Sequence, residues 1–250
     1  MASPHRRVVG PPRYPSSVRF RAVYFDAGET LVHPAPSFPE LFTQVLASDG
    51  HARTTRDVLA ASAAVFHRFS EAARDDERWT TSPERSAAFW KGVYARMLEA
   101  LDLPGADGLR DRLYATFTDL RNYALFEDVQ PMLEAIAVPG RVLGIVSNFE
   151  AWLEDLLEHL GIRDRFPVRA ISGIEGVEKP DPAIFERALT LGGVSAAETA
   201  YVGDNPEFDV DPALALGMTP VLIDRRGRFV GHDGLRITDL RELAGVLEAA

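Results

Sequence analysis

Four short stretches of this chain combine side chains that could handle a charged group. They are Phe25-Asp26-Ala27-Gly28-Glu29-Thr30-Leu31, Val146-Ser147-Asn148, Glu178-Lys179-Pro180-Asp181-Pro182 and Gly203-Asp204-Asn205-Pro206-Glu207-Phe208-Asp209. In the first, Asp26 leaves an apolar run into a glycine-containing turn, which sets a carboxylate beside backbone N–H groups; an ordinary turn aspartate looks the same. In the second, a hydroxyl and an amide close an apolar run, as many loops do. The third fixes one lysine between prolines, although a lone lysine is usually a solvated charge. The fourth brackets a turn with Asp204 and Asp209, hard oxygen ligands of the kind Mg²⁺ takes; N-capping by Asp204 or Asn205 is the plainer alternative and is compatible with metal binding.

Taken together, the four supply a nucleophilic carboxylate, a cation to balance an anionic transition state, and hydroxyl and backbone donors to hold it. Phosphoryl transfer needs that set, because positioning and charge compensation do most of its catalytic work. Asp26 could attack phosphorus to give an aspartyl phosphate that water then hydrolyses.

Such residues act in concert only if the elements between them bring them to one place. Apolar runs at 20–25, 142–146, 168–171, 200–202 and 220–223 are too short for helices and are bounded by Gly, Asp or Ser. Near-continuous apolar strands are those covered on both faces, as in a parallel sheet. Helical segments at 151–160, 182–191 and 206–216 alternate with them, Ser195 and Glu198 fit a capping box, and Leu240, Leu243 and Leu247 stripe a last helix. The rhythm predicts a doubly wound, Rossmann-like α/β core with a parallel sheet. All the motifs then fall at the C-terminal ends of strands, where open α/β sheets bind ligands.

Residues 35–125 break the rhythm. Val58, Ser62, Val65, Phe66, Phe69 and Ala73 recur at helical spacing, as do Phe89, Trp90, Val93, Tyr94, Met97, Leu98 and Leu101 after Ser82-Pro83, a helix-start signal. Leu109, Leu113, Phe117 and Leu120 form a further stripe. About four helices without a strand imply a bundle inserted after the first strand, an α-helical cap domain. Its aromatics, Trp90 and Tyr94 included, are expected to be bundle core, with substrate-facing cap positions as the alternative for those two, which periodicity does not separate from core. The expected division is therefore a core of 18–34 and 126–250, a cap of 35–125, and a proline- and arginine-rich segment 1–17 expected to be disordered.

Composition narrows the function further. The chain has 250 residues, 46% hydrophobic and 26% charged, enough to bury a sizeable core. Its net charge of −10 argues against a duplex-binding protein, which needs a basic face. The absence of cysteine excludes thiolate metal sites and a cysteine nucleophile. No apolar run reaches the ~20 residues that span a bilayer, and the first residues have no apolar signal core. A cytoplasmic protein acting on a small molecule is expected, with no nucleic acid or membrane partner, as a monomer or homodimer.

The motifs FDAGETL, VSN, EKPDP and GDNPEFD, in this order, resemble the haloacid dehalogenase-like hydrolase superfamily, in its subclass with a helical cap inserted after the first motif. The resemblance covers about residues 19 to 247. It implies that Asp26 is the nucleophile and a Mg²⁺ ligand, with the carbonyl of Gly28 a second ligand. Ser147 and Asn148 would bind the transferring phosphoryl group and Lys179 would balance its charge. Asp204 would bind the metal, with Asp209 beside it or behind it. A mobile cap that closes over the substrate is implied as well.

One position departs from the family. Its phosphatases usually carry a second Asp two residues after the nucleophile, which protonates the leaving oxygen and then activates water. Here that position is Gly28, and loss of a general acid/base typically costs about 10²–10⁴ in rate. Glu29 is one candidate substitute, although a neighbour on a turn need not point the same way. His33 is another, read first as a hinge or surface histidine. The leading expectation is a Mg²⁺-dependent phosphatase of a small phosphorylated metabolite. The alternatives are a 2-haloacid dehalogenase, which needs neither the second Asp nor a metal but usually lacks the Gly203-Asp204 pair, and a weakly catalytic or non-catalytic phospho-ligand binder.

Overall fold

Strand β1 (Ala22–Phe25) is buried at all four residues, and the rest of the core is arranged around it. A computed structural model describes residues 19–65, 78–103 and 107–250. The segment 1–17 and the expected stripe positions Phe66, Phe69 and Ala73 lie outside the described residues.

Beside β1 run β4 (Val142–Ser147), β5 (Val168–Ile171), β6 (Thr199–Gly203), β7 (Thr219–Ile223) and β8 (Leu235–Ile237), in the order β5-β4-β1-β6-β7-β8 and all parallel. Phe25 pairs with Ile145 on one side and Val202 on the other. Continuing that register sets Asp26 level with Val146 and Gly203, so the motif turns leave one edge of the sheet together.

The period of two along each strand sorts residues onto two covered faces. Val23, Phe25, Ile145, Val202 and Val221 face one apolar cluster, which includes Met132 and Leu133 of α5 (Val129–Ala135), Leu153, Leu156 and Leu157 of α6 (Leu153–His159), and Leu243 and Leu247 of α10 (Leu243–Ala249). Ala22, Tyr24, Val146 and Tyr201 face the other, with Ile184, Phe185 and Ala188 of α8 (Pro182–Gly192) and Ala213 of α9 (Asp211–Ala215). Burial on both faces is why these strands read as apolar runs.

Between β1 and β4 the chain makes a short antiparallel ribbon, β2 (Val32–Pro34) with β3 (Tyr123–Leu125), and carries the helical insertion from its ends. The insertion holds α1 (Phe38–Ser48), α2 (Thr55–Val65), α3 (Pro83–Ala100) and α4 (Asp107–Phe117). As the sequence predicts, Ser82 caps α3 by accepting from the Arg85 N–H, with Pro83 at its start. Phe42, Phe89, Val93, Tyr94, Met97, Leu113 and Phe117 form a core separate from the sheet's. Tyr94 is buried there and Trp90 stacks against it, in agreement with the bundle-core expectation. The architecture is thus a Rossmann-like parallel sheet flanked by helices with an inserted helical cap.

Four details differ from the sequence expectation. The ribbon β2–β3, the edge strand β8 and the helix α5 carry no apolar run long enough to announce them. Residues 206–216 do not form one α-helix: Pro206–Val210 is a π-helical turn that precedes α9. Asn205 Oδ1 accepts the N–H groups of both Glu207 and Phe208, and the Asp209 carboxylate turns back onto the Asn205 N–H, which widens the turn. Among the described residues no helix is long and apolar enough to cross a membrane.

Candidate active site

The side chains singled out in the four motifs converge. Asp26 Oδ1 accepts hydrogen bonds from Ser147 Oγ at 2.9 Å and from Lys179 Nζ at 2.7 Å. No bond from a described residue goes to Oδ2, so that oxygen is free to act on a substrate. Lys179 Nζ also donates to Asp209 Oδ1 at 2.6 Å and lies 3.2 Å from the Tyr201 hydroxyl. Asp26, Ser147, Lys179 and Asp209 are all buried.

Local chemistry aims each of these groups. Asn148 clasps the backbone of Lys179 from both sides, its Oδ1 accepting the Lys179 N–H at 2.6 Å and its Nδ2 donating to the Lys179 carbonyl at 2.8 Å. Both polar ends of the Asn148 side chain are therefore spent on orienting the lysine. Asp209 Oδ2 accepts the Asn205 N–H at 3.0 Å, which turns Oδ1 toward Lys179. Gly203 makes room for this: a Cβ there would lie 2.3 Å from the Asp209 carboxyl carbon, a distance no side chain tolerates.

Electrostatics follow from burying four charges together. Burial raises the Asp26 carboxyl above its ordinary range, opposed by the Lys179 charge and reinforced by that of Asp209. Burial alone would lower the Lys179 ammonium, but the charges of Asp209 and Asp26 outweigh it and hold the group well above its usual range. Asp204 does not contact Lys179 and, among the described residues, is paired only with the half-exposed Arg228. Its carboxyl is pushed up to about 8, first by burial and then by the charges of Asp209 and Asp26, with Arg228 only 3.3 Å away as a partial offset.

Oxygens of Asp26, Asp204 and Asp209 lie within 4.8 Å of one another. Three carboxylates against one buried ammonium leave a site short of positive charge, and Asp204 shows the deficit most. The donor set, all oxygen, suits a small hard cation. In the turn after Asp26, Ala27 O accepts from Leu31 and Val32 and Val32 O accepts from Glu29, while the Gly28 carbonyl takes none of these bonds. These residues fit a divalent metal, with Asp209 held in place by Lys179 and Asn205.

Gly28 opens a gap rather than filling one: a Cβ at that position would meet nothing within 4 Å. Neither candidate substitute occupies the space as a free acid. Glu29 sits in the left-handed region at φ 57° and pairs with Arg226 at 2.5 Å. His33 Nδ1 lies 2.8 Å from the Pro34 carbonyl, and the ring packs 4.4 Å from Phe126. The hinge reading of His33 agrees with this placement.

Sequence reasoning passed over Tyr201, whose hydroxyl lies 2.9 Å from both the Val146 carbonyl and Asp209 Oδ1 and donates its one proton to either. A tyrosine in a buried strand gives no sign of being more than core. It also passed over Arg228 and assigned no role to Glu178, whose partners are distant in sequence.

A parallel sheet with these four turns at one edge and a helical bundle inserted after the first defines a class of α/β hydrolases. The chain belongs to the haloacid dehalogenase-like hydrolase family, whose model matches residues 20–217. Among curated proteins it is 33% identical over 174 residues to a phosphoserine phosphatase of Thermus thermophilus, covering 66% of this chain and 70% of that one. It is also 33% identical over 141 residues to haloacid dehalogenase-like hydrolase domain-containing protein 3 of Mus musculus, covering 55% and 56% of the two chains, so it spans little more than half of that relative. Among solved structures it matches a 2-haloacid dehalogenase of Pseudomonas syringae at 26% identity and a TM-score of 0.58, covering 92% and 99% of the two chains.

Proposed function

We propose that this protein is a Mg²⁺-dependent phosphohydrolase that cleaves a small phosphorylated metabolite through an aspartyl phosphate on Asp26. The observation that carries the reading is the geometry of Asp26, with one oxygen held by Lys179 and Ser147 and the other free, beside the further carboxylates of Asp204 and Asp209. The phosphoserine phosphatase of Thermus thermophilus and a glyceraldehyde 3-phosphate phosphatase of Methanopyrus kandleri, 38% identical over 107 residues, support phosphate esters as the substrate class.

In this reading Asp26 Oδ2 attacks phosphorus, and the bond from phosphorus to the ester oxygen breaks, its electron pair leaving with that oxygen. Lys179 balances charge on the transferring group, and Ser147 with the turn at Asn148 helps to hold it. Water then cleaves the aspartyl phosphate, giving inorganic phosphate and restoring the Asp26 carboxylate. Asp26, Asp204 and the Gly28 carbonyl would hold Mg²⁺, with Asp209 supporting them. When bound, the ion supplies compensation for charge on the phosphoryl oxygens. Residues 18–34 and 126–250 serve as the catalytic core and 35–125 as the cap that closes over it.

A dehalogenase reading draws on Gly28, on the similarity to the Pseudomonas syringae enzyme and on a nucleophilic Asp26 that would attack carbon instead. Against it stands the Gly203-Asp204 pair, which the family's dehalogenases lack and which carbon–halogen displacement, needing no metal, does not require. The deciding experiment measures phosphate release from a panel of phosphorylated metabolites with Mg²⁺ and with EDTA, on wild type and Asp26→Asn. Metal-dependent release lost in the variant supports the phosphohydrolase. No release from any ester, with halide freed from 2-haloacids in EDTA, establishes the dehalogenase instead. Silence in both assays points to a binder.

A further inference from the structure

Immediately before Lys179, Glu178 is only 5% exposed, yet among the described residues no cation forms an ion pair with its carboxylate, the Arg78 charge acting on it from further off. It is satisfied by the helical insertion instead. Oε1 accepts the Trp79 N–H at 3.1 Å, and Oε2 accepts the Thr80 N–H at 2.7 Å and the Thr80 hydroxyl at 2.5 Å. Burial pushes this carboxyl above its ordinary range, and the Thr80 and Trp79 donors oppose the push.

The same dipeptide touches other turns of the site. Ser172 Oγ lies 2.6 Å from the Thr80 hydroxyl and accepts the Phe149 N–H, which joins Thr80 to the turn after Ser147-Asn148. Trp79 stacks on Phe89 of α3 at 5.1 Å and meets the edge of Phe208 at 5.6 Å. Phe208 sits in the π-helical turn between Asp204 and Asp209. Trp79-Thr80 thus contacts two of the four motif turns directly, at Glu178 and Phe208, and a third through Ser172, and these contacts tie the insertion to the sheet edge.

We propose that Glu178 is a positioning residue that couples docking of the helical insertion to the placement of Lys179. The backbone of Lys179 is held on one side by Asn148 and on the other by the peptide of Glu178, whose side chain Trp79-Thr80 fixes. Undocking would release three donors, hydrate Glu178 and leave the Lys179 backbone held by Asn148 without the support of a fixed Glu178. Full charge compensation at Asp26 is then confined to the closed state, in which the substrate is shielded from bulk water. The kinetic part of the inference rests on the phosphohydrolase reading, and the structural part does not.

The test uses Glu178→Gln, which keeps size and packing but turns an NH₂ toward a backbone donor, and Thr80→Val, which removes one hydroxyl and leaves both amide bonds. Two readouts are taken on the full chain: the rate of Lys179 acetylation by mass spectrometry, and turnover of p-nitrophenyl phosphate with Mg²⁺. The expected result for Glu178→Gln is Lys179 labelled about tenfold faster or more. Its kcat is expected to fall about 10²-fold while KM changes by less than about threefold. Thr80→Val should move both readouts the same way by less. In a Lys179→Ala background, Glu178→Gln should lower turnover no further. Unchanged labelling and kcat with only a lower Tm would make Glu178 a simple structural tie and overturn the proposal. Should Glu178→Gln not fold, Thr80→Val decides alone by the same criteria. If wild type does not turn over this ester, kcat and KM are read on an ester it cleaves from the metabolite panel; if it cleaves none, the functional reading fails and the labelling result by itself upholds or overturns the positioning role.

Discussion

Glu29, a turn residue in the left-handed region at φ 57°, accepts a hydrogen bond from Arg226 at 2.5 Å. The acid nearest in sequence to the open position at Gly28 is thereby engaged elsewhere, and the His33 ring packs at a tilt against Phe126. Among the described residues, neither of the two side chains nearest the Gly28 position in sequence is placed to protonate the leaving oxygen, which bears on the substrates a phosphohydrolase built this way can cleave fast.

Esters whose leaving group is stable as an anion, such as aryl or acyl phosphates, should therefore be favoured over alkyl phosphates. A plot of log kcat/KM against leaving-group pKa is expected to fall steeply in wild type. Gly28→Asp fits the gap and should raise alkyl phosphate turnover about 10²–10⁴-fold, with far less effect on aryl esters. A flat plot for wild type would show that a proton donor acts there after all.

Metal affinity should depend on pH through Asp204. Without metal its carboxyl is pushed up to about 8 by burial and then by Asp209 and Asp26, so it is protonated at neutral pH and must lose that proton to become a ligand. Apparent Mg²⁺ affinity is expected to rise by up to about tenfold per pH unit below 8 and to level off above it. Titration calorimetry at pH 7 in two buffers of different ionisation heat should register proton release. Affinity constant from pH 6 to 9 would contradict this.

Away from the chemistry, the buried Asp128 accepts a two-pronged pair from Arg225 at 2.7 and 3.0 Å and the Leu240 N–H at 2.8 Å. Arg225 also reaches the Thr30 carbonyl in the Asp26 turn. Burial works against the Asp128 charge, but these bonds outweigh it and hold the carboxyl below its ordinary range. Because the folded value is depressed, the stabilisation is present above the ordinary carboxylate pKa of about 4 and is lost as pH falls through the folded value. Asp128→Asn should cost about 3 kcal/mol by urea unfolding at pH 7, and the gap to wild type should narrow below about pH 4. A gap of the same size at low pH would show that packing, not charge, is what the substitution disturbs.

Much of this was legible in the sequence for a physical reason. Strands β1, β4, β5, β6 and β7 are covered on both faces, so their composition alone announces them, and the polar residue ending each run marks the sheet edge where ligands bind. Asp26, Ser147 and Asp204 lie at such ends, whereas Lys179 and Asp209 stand further along the chain and are legible only through the ordered motif set and the family it resembles. The direction of a side chain on a turn is less legible. Nothing in the order Gly28-Glu29 says that Glu29 faces Arg226, and nothing in Glu178 points to Trp79-Thr80, about a hundred positions earlier in the chain. Such pairings are products of the tertiary fold. Tyr201 escaped notice because an aromatic residue in a buried strand serves packing first, and its hydroxyl became polar glue only once Asp209 folded back beside it.

The central claim is that Asp26 becomes phosphorylated, and trapping that state tests it most directly. Enzyme turning over p-nitrophenyl phosphate with Mg²⁺ is quenched in acid, reduced with borohydride and mapped by peptide mass spectrometry. An aspartyl phosphate is reduced to homoserine, so the account predicts homoserine at residue 26, dependent on substrate and absent when EDTA is present. Full turnover with Asp26 recovered unmodified would contradict it.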